Sequence, residues 1–279
     1  MEIMQLELSR IRVALLACLV ATIILLIPAH QHLLGGLVFV ATVVLLLRDP
    51  ERRLRRRIGV LLACVLLLGI ADITPALSNE NFLRLGVVFT AVLILPLVAQ
   101  RWDAAKVIRY RFKPVRWRKA DILYTVLSVP LAWMVLKGYE WGNLALFDHE
   151  LFRQWSLPEE ADPEMIRRLF IGINLVGIWD ELFFINTVYA LLRSLFTDRV
   201  ANAVQAVLYP AVLIDMAFVG LGFAVVFLFA LTQGAMYEKS ESLLWVLIVH
   251  LVVDYLLVAF IVLTYYPGYG LDFLWRKGF

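Results

Sequence analysis

Several windows of this sequence stay apolar for longer than the roughly 18–20 residues a helix needs to cross about 30 Å of hydrocarbon. That feature narrows the fold more than any other. A backbone in lipid has to satisfy its own hydrogen bonds, and the windows show no period-2 alternation, so they form helices and not a barrel. Composition agrees: 62% of the 279 residues are hydrophobic and 18% charged, with a mean hydropathy of +0.82. An ordinary soluble domain is about half apolar and about a quarter charged. A soluble enzyme is excluded.

The expected fold is all-α, a polytopic membrane helix bundle of about eight or nine transmembrane helices. The spans fall at Ile11–Ile27, Leu33–Leu47, Ile58–Ile73, Phe82–Ala99, Ile122–Leu136, Met165–Leu195, Val200–Ile214, Met216–Tyr237 and Leu243–Tyr265. The short pair flanking Asp215 reads equally as one broken or re-entrant segment, which gives eight. The first run follows Arg10 and Arg12 as a signal peptide would. No small-x-small cleavage pattern follows it and a second span begins almost at once, so it reads as a retained helix. Cys18 and Cys64 each lie inside an apolar run and read as small core residues, not as a disulfide or a thiolate metal site.

Orientation follows from Lys and Arg. Arg48, Arg52, Arg53, Arg55, Arg56 and Arg57 crowd one connection, and Lys106, Arg109, Arg111, Lys113, Arg116, Arg118 and Lys119 crowd another. Both fall on one side if the spans alternate, and the positive-inside bias makes that side cytoplasmic, together with the N-terminus. The acidic connection from Tyr139 to Glu164 then lies outside, and so do Arg276 and Lys277, against the rule. The basic connections read as topogenic charge facing the lipid bilayer, not as a nucleic-acid site. The whole chain, 1–279, is expected to form one membrane domain, with scaffold helices in 1–138 and a functional core in 162–265.

The core holds the polarity. Asp162, Pro163 and Glu164 form a well-made helix start: an N-cap, a proline at the first position and an acid in the first turn. The apolar run that follows is interrupted by Asp180 and Glu181, each at about 2.5–3.5 kcal/mol on insertion scales. Neighbours on a helix point about 100° apart, so one can face a cavity while the other braces a neighbouring helix. In the last span His250 and Asp254, at i and i+4, stack on one face, where a carboxylate can fix the imidazole tautomer. Asp215 reads as a helix-end residue. Apolar packing would hold helices together without the insertion cost. The set Asp180, Glu181, His250 and Asp254 therefore points to chemistry: a carboxylate-activated water for hydrolysis, or proton-coupled movement of a solute.

Two stretches carry a resemblance. Asp180–Asn186 reads DELFFIN, and Ala230–Asp254 reads ALTQGAMYEKSESLLWVLIVHLVVD. These resemble the CPBP family of intramembrane proteases, the CAAX-processing and bacteriocin-immunity (Abi) proteins. Its motifs are EExxxR, FxxxH, and HxxxN or HxxxD, the last preceded by a Gly-rich helix, a Tyr and a Ser-Leu-Trp entry. Gly234, Tyr237, Ser242, Leu243, Trp245, His250 and Asp254 fall in that order and spacing, and Phe184 matches the aromatic of the first motif. The resemblance covers roughly Leu169 to Phe260. It implies that Asp180 is the acid that activates the attacking water, that Glu181 is its second acid, and that His250 and Asp254 orient or polarise the reacting carbonyl. The implied substrate is a hydrophobic or lipidated peptide or protein: a membrane protein, a prenylated C-terminus or an exported peptide. The implied location is a bacterial inner or plasma membrane.

The sequence also departs from that pattern. The motif arginine falls at Ile185 and the following glycine at Asn186. Arg193 lies two turns on, about 12 Å at 1.5 Å per residue. The second motif places Tyr209 at the Phe position and Leu213 at the His position, and no histidine lies between His149 and His250. Asp180 is one methylene shorter than the expected Glu, a retreat on the order of 1 Å. One imidazole with carboxylates is a poor zinc set, so no cofactor is assigned; Glu181, His250 and Asp254 are the ligands if a divalent metal such as zinc binds. Two other readings stand beside the endopeptidase: a catalytically silent peptide-binding protein acting in immunity or sorting, and a small proton-coupled transporter.

Overall fold

In the computed structural model, residues 5–103, 105–115, 117–147, 155, 157–216 and 218–270 are described, and among them there are helices and no strands. Nine helices run in order: α1 Arg10–Leu26, α2 His32–Arg48, α3 Arg52–Gly69, α4 Asn79–Ala99, α5 Lys119–Phe147, α6 Pro163–Arg193, α7 Asp198–Leu213, α8 Gly222–Ser240 and α9 Leu243–Tyr265. They follow the nine expected spans in order. Asp215 lies in a 3-10 turn, Ile214–Met216, that separates α7 from α8. Four elements are long and apolar enough to cross a membrane: Asn79–Trp102, Lys119–Phe147, Pro163–Arg193 and Leu243–Tyr265. Arg116, Arg276 and Lys277 lie outside the described residues, as does much of the acidic connection after α5.

Helix ends are set where the sequence placed caps. Asp162 accepts from the Glu164 amide at 2.9 Å and starts α6 with Pro163 in its first turn. Ser242 caps α9 by accepting from Leu244 N at 3.2 Å, after Glu241 turns the chain at φ 47°. The fifth span is longer than expected. Residues 139–147, expected to begin the acidic connection, continue α5, because Tyr139 and Asn143 are buried and both donate to Val219 O, at 2.8 and 3.2 Å.

Outer and inner helices differ in what they bury. Only 22% of the apolar window of α5 is buried, against 67% in α9. On α2 the residues Leu33, Leu37, Val40, Val44 and Leu47 form one exposed apolar stripe at alternating four- and three-residue spacing, which is the lipid-facing side of a membrane helix. Near the middle of α6, residues Glu181–Val188 widen into a π-helix. This segment touches α4, α7, α8 and α9, so it is the axis of the bundle.

The basic connections share one end of the bundle. Arg57 Nε meets Asp103 Oδ2 at 2.7 Å, Arg12 Nε meets Asp49 Oδ2 at 2.8 Å, and Arg111 reaches Glu241 at 3.3 Å. At the other end His30 Nε2 lies 3.5 Å from Asp215 Oδ1, and Tyr266 donates to Pro158 O at 2.7 Å.

Candidate active site

Asp180 is the last α-helical residue before the π segment of α6, and Glu181 is the first residue of that segment. The extra residue per turn of a π-helix rotates everything that follows relative to an unbroken α-helix, and such bulges recur at functional sites. Both acids are enclosed, 1% and 0% exposed, but they face different surroundings. Asp180 lines a cavity of about 320 Å³, together with His250 and Asp254. Glu181 points between α8 and α9.

Glu181 Oε1 accepts from two donors. His250 Nδ1 lies at 2.7 Å and Gln233 Nε2 at 3.0 Å, and the same Gln233 amide also donates to Val246 O at 2.9 Å. This buried bracket fixes the imidazole: with Nδ1–H directed at Glu181, the Nε2 edge turns toward Asp254, whose Oδ1 is 3.5 Å away one turn along α9. Phe229 packs edge-on against the ring at 5.1 Å. Glu181 is thus the acid of the pair that braces a neighbouring helix, and Asp180 interacts electrostatically with the same imidazole.

The close approach of α6 and α9 depends on Gly177. A Cβ there would overlap the Asp254 carboxylate and come within 3.0 Å of the His250 ring, so a glycine one turn before Glu181 lets two polar helices touch. From α7, Tyr209 is fully buried and its Oη lies 3.3 Å from His250 Nδ1. The same hydroxyl interacts with Asp180. Its ring stacks on Phe184 of the π segment at 4.5 Å and 10°.

The rest of the lining is mostly apolar, with Thr74, Asn81 and Thr90 as its other polar side chains. Leu85, Phe89, Ile173, Val176, Leu213 and Leu257 are among its walls, contributed by α4, α6, α7 and α9. One carboxylate oxygen each on Asp180, Glu181 and Asp254 is buried with no protein partner among the described residues. Buried carboxylate oxygens require hydrogen-bond partners, and here three of them surround one imidazole. The four residues expected to form a site therefore do converge. Gln233, Gly177 and the Tyr209 hydroxyl were not given roles from the sequence, although a lone glutamine in the apolar run of α8 was a visible signal for the first.

The positions that depart from the family motifs are also resolved. Ile185 is fully buried, and Asn186 accepts from Tyr237 Oη at 2.5 Å. Arg193 lies over the rings of Tyr189 and Tyr237, at 5.5 and 5.7 Å, and does not reach the cavity. Leu213 does line it. A metal ion does not fit the donor set. Glu181 and Asp254 face opposite nitrogens of the one imidazole, whose lone pairs diverge, and among the described residues no three His, Cys, Asp or Glu side chains form a ligand group.

Comparison with known families bears on the same segment. Residues 163–256 match one family model, the type II CAAX prenyl endopeptidase Rce1-like proteins. That stretch, about a third of the chain, is similar to this family. The match starts at the first residue of α6, ends just beyond Asp254, and contains every residue of the cluster. It agrees with the CPBP resemblance and with an integral membrane protein. No curated protein and no solved structure matches the chain.

Proposed function

We propose that the chain is an Rce1-like intramembrane endopeptidase that uses a carboxylate-activated water to cleave a peptide bond in a membrane-associated, prenylated or exported peptide. One observation carries the proposal: an apolar cavity of about 320 Å³ at whose wall Asp180, with a free carboxylate oxygen, meets His250 and Asp254. In this reading Asp180 takes a proton from water as the water oxygen bonds to the peptide carbonyl carbon. The His250 imidazole, protonated on both nitrogens with Glu181 and Asp254 balancing its charge, donates Nε2–H to the negative oxygen that results. Glu181 and Gln233 keep the imidazole oriented. The C–N bond then breaks, and the leaving nitrogen receives the proton from Asp180, so one water is consumed per bond. The N-terminus and the basic end of the bundle face the cytoplasm.

A second reading has its own support. Leu213 and Ile185 are apolar where the resemblance expects an imidazole and a guanidinium, and a site released from chemistry tolerates such residues. The chain would then bind a hydrophobic peptide without turning it over. Reconstitution with a panel of membrane-anchored and prenylated peptides separates the two. Cleavage that disappears in Asp180→Ala and His250→Ala supports the endopeptidase. Peptide binding that is unchanged in those variants, with no cleavage by any form, supports the silent binder. Proton-dependent solute uptake would overturn both.

A further inference from the structure

We propose that the Tyr209 hydroxyl is the positioning group that couples Asp180 to His250, the one polar contribution that α7 makes to the site. The inference rests on the reading of Asp180 as general base, and it concerns a residue that the Rce1-like match leaves without a role. Tyr209 is wholly enclosed, and a buried phenol needs a hydrogen-bond partner. It has two candidates. Its Oη is 3.3 Å from His250 Nδ1, and it interacts with the Asp180 carboxyl. His250 Nδ1 already makes its shorter bond, 2.7 Å, to Glu181. In this proposal the single phenolic proton is directed at Asp180, while the phenolic oxygen sits beside the imidazole.

Local packing fixes this arrangement. The ring lies flat on Phe184, which belongs to the same π segment as Glu181. The hydroxyl is thus placed by the very segment whose acid it neighbours. One turn further along α7, Leu213 lines the cavity but brings no polar atom. The i, i+4 pair on α7 presents a hydroxyl first and a methyl-bearing side chain second. A phenylalanine would fill the same space and keep the stacking, so packing alone does not explain the hydroxyl. Its effect is to hold one Asp180 oxygen, which leaves the other directed at a water. The reach of the phenol also offsets the short aspartate side chain.

The test uses the full-length protein in nanodiscs. Tyr209→Phe retains the ring, and kcat is expected to fall on the order of a hundredfold, the scale of a general base displaced by about 1 Å, with KM nearly unchanged. Adding Leu213→His to Tyr209→Phe supplies a polar group from the next turn and is expected to restore at least about a tenth of the lost rate, since the base is again held within hydrogen-bond reach. The ¹⁵N resonance of His250 Nδ1 is expected to move in Tyr209→Phe and to stay in place in Tyr189→Phe. Wild-type kcat in Tyr209→Phe, while Asp180→Ala remains inactive, overturns the positioning role and leaves the endopeptidase intact. Loss of kcat that Leu213→His does not restore, in a variant with an unchanged melting temperature, overturns the substitution of one polar group for another. If the wild type cleaves no peptide, the endopeptidase reading fails, and the spectra decide the coupling: a fixed Nδ1 resonance overturns it and a shifted one supports it.

Discussion

Helices α1–α4 and helices α6–α9 are both built from apolar runs, yet they hold their charges in opposite places. In the first group the ion pairs Arg12–Asp49, Arg57–Asp103 and Arg84–Asp72 lie at helix ends, at 2.7–2.8 Å. Arg84–Asp72 is open to solvent while Arg57–Asp103 is enclosed, and each pair ties a helix to a neighbouring connection. In the second group Asp180, Glu181, His250 and Asp254 lie within helices, and none is more than 6% exposed. Charge at a helix end is an ordinary consequence of building a bundle. Charge in mid-span opposes insertion, and here each group has a polar neighbour, while Asp180, His250 and Asp254 also line a cavity. The contrast separates ion pairs that tie helix ends together from the mid-span cluster of the candidate site.

The largest test of that contrast is at the centre. Asp180→Asn keeps the shape of the side chain but removes the base, and peptide cleavage should fall about a thousandfold, within the range for general-base removal. A variant that cleaves within tenfold of wild type would move the base elsewhere. Next comes the contact between helices. Gly177→Ala places a methyl into the Asp254 carboxylate; an overpacked contact costs about 1–3 kcal/mol, and the displaced site should lose about a hundredfold in rate. Gly36→Ala on α2, where a Cβ meets open space, should change neither melting temperature nor cleavage. Equal losses at the two glycines would erase the distinction between the regions.

The peripheral pairs should report on stability alone. Arg57→Ala leaves Asp103 without its partner and should lower stability by about 2–3 kcal/mol, somewhat below the figure for a fully enclosed pair, while the folded fraction keeps wild-type kcat. A change in kcat would show that the pair acts on the site. The smallest effect is a pH dependence. Burial pushes the Asp103 carboxyl up, but the Arg57 hydrogen bond, the Ala105 amide and the Arg57 charge outweigh it and hold the carboxyl below the ordinary 3.8. A carboxyl depressed in the folded state contributes stability that is fully present above its unfolded value and is lost as pH falls through the folded one. The melting difference between wild type and Asp103→Asn should therefore be constant from pH 7 to about pH 5 and shrink below pH 4. A difference that grows on acidification contradicts the assignment.

Much of the molecule was legible before any coordinates. The run from Leu243 to Tyr265 is bounded by a capping serine and needed only its apolarity to be placed, and α9 occupies those same residues. The start of α6 was spelled out by Asp162 and Pro163. The end of α5 was not, because Lys137, Glu140 and Asn143 break the apolar run, and only the contacts to Val219 show why helix continues to Phe147. The pairing of Glu181 with His250 was anticipated as a neighbourhood but not as a bond, since 69 residues separate them. The π segment left no trace in the sequence: its widened turn answers to packing from four helices at once, not to any local periodicity.

By itself, the sequence determined an all-helical membrane chain, the capped start of α6, and the four mid-span ionisable residues, because insertion energies and capping depend on composition and nearest neighbours. The tertiary structure decided which carboxylate faces the cavity and which one braces the imidazole. It also decided that Gln233 and Tyr209 join them. These outcomes depend on directions in space between helices remote in the chain, and hydrogen bonds, unlike hydropathy, exist only at defined distances and angles.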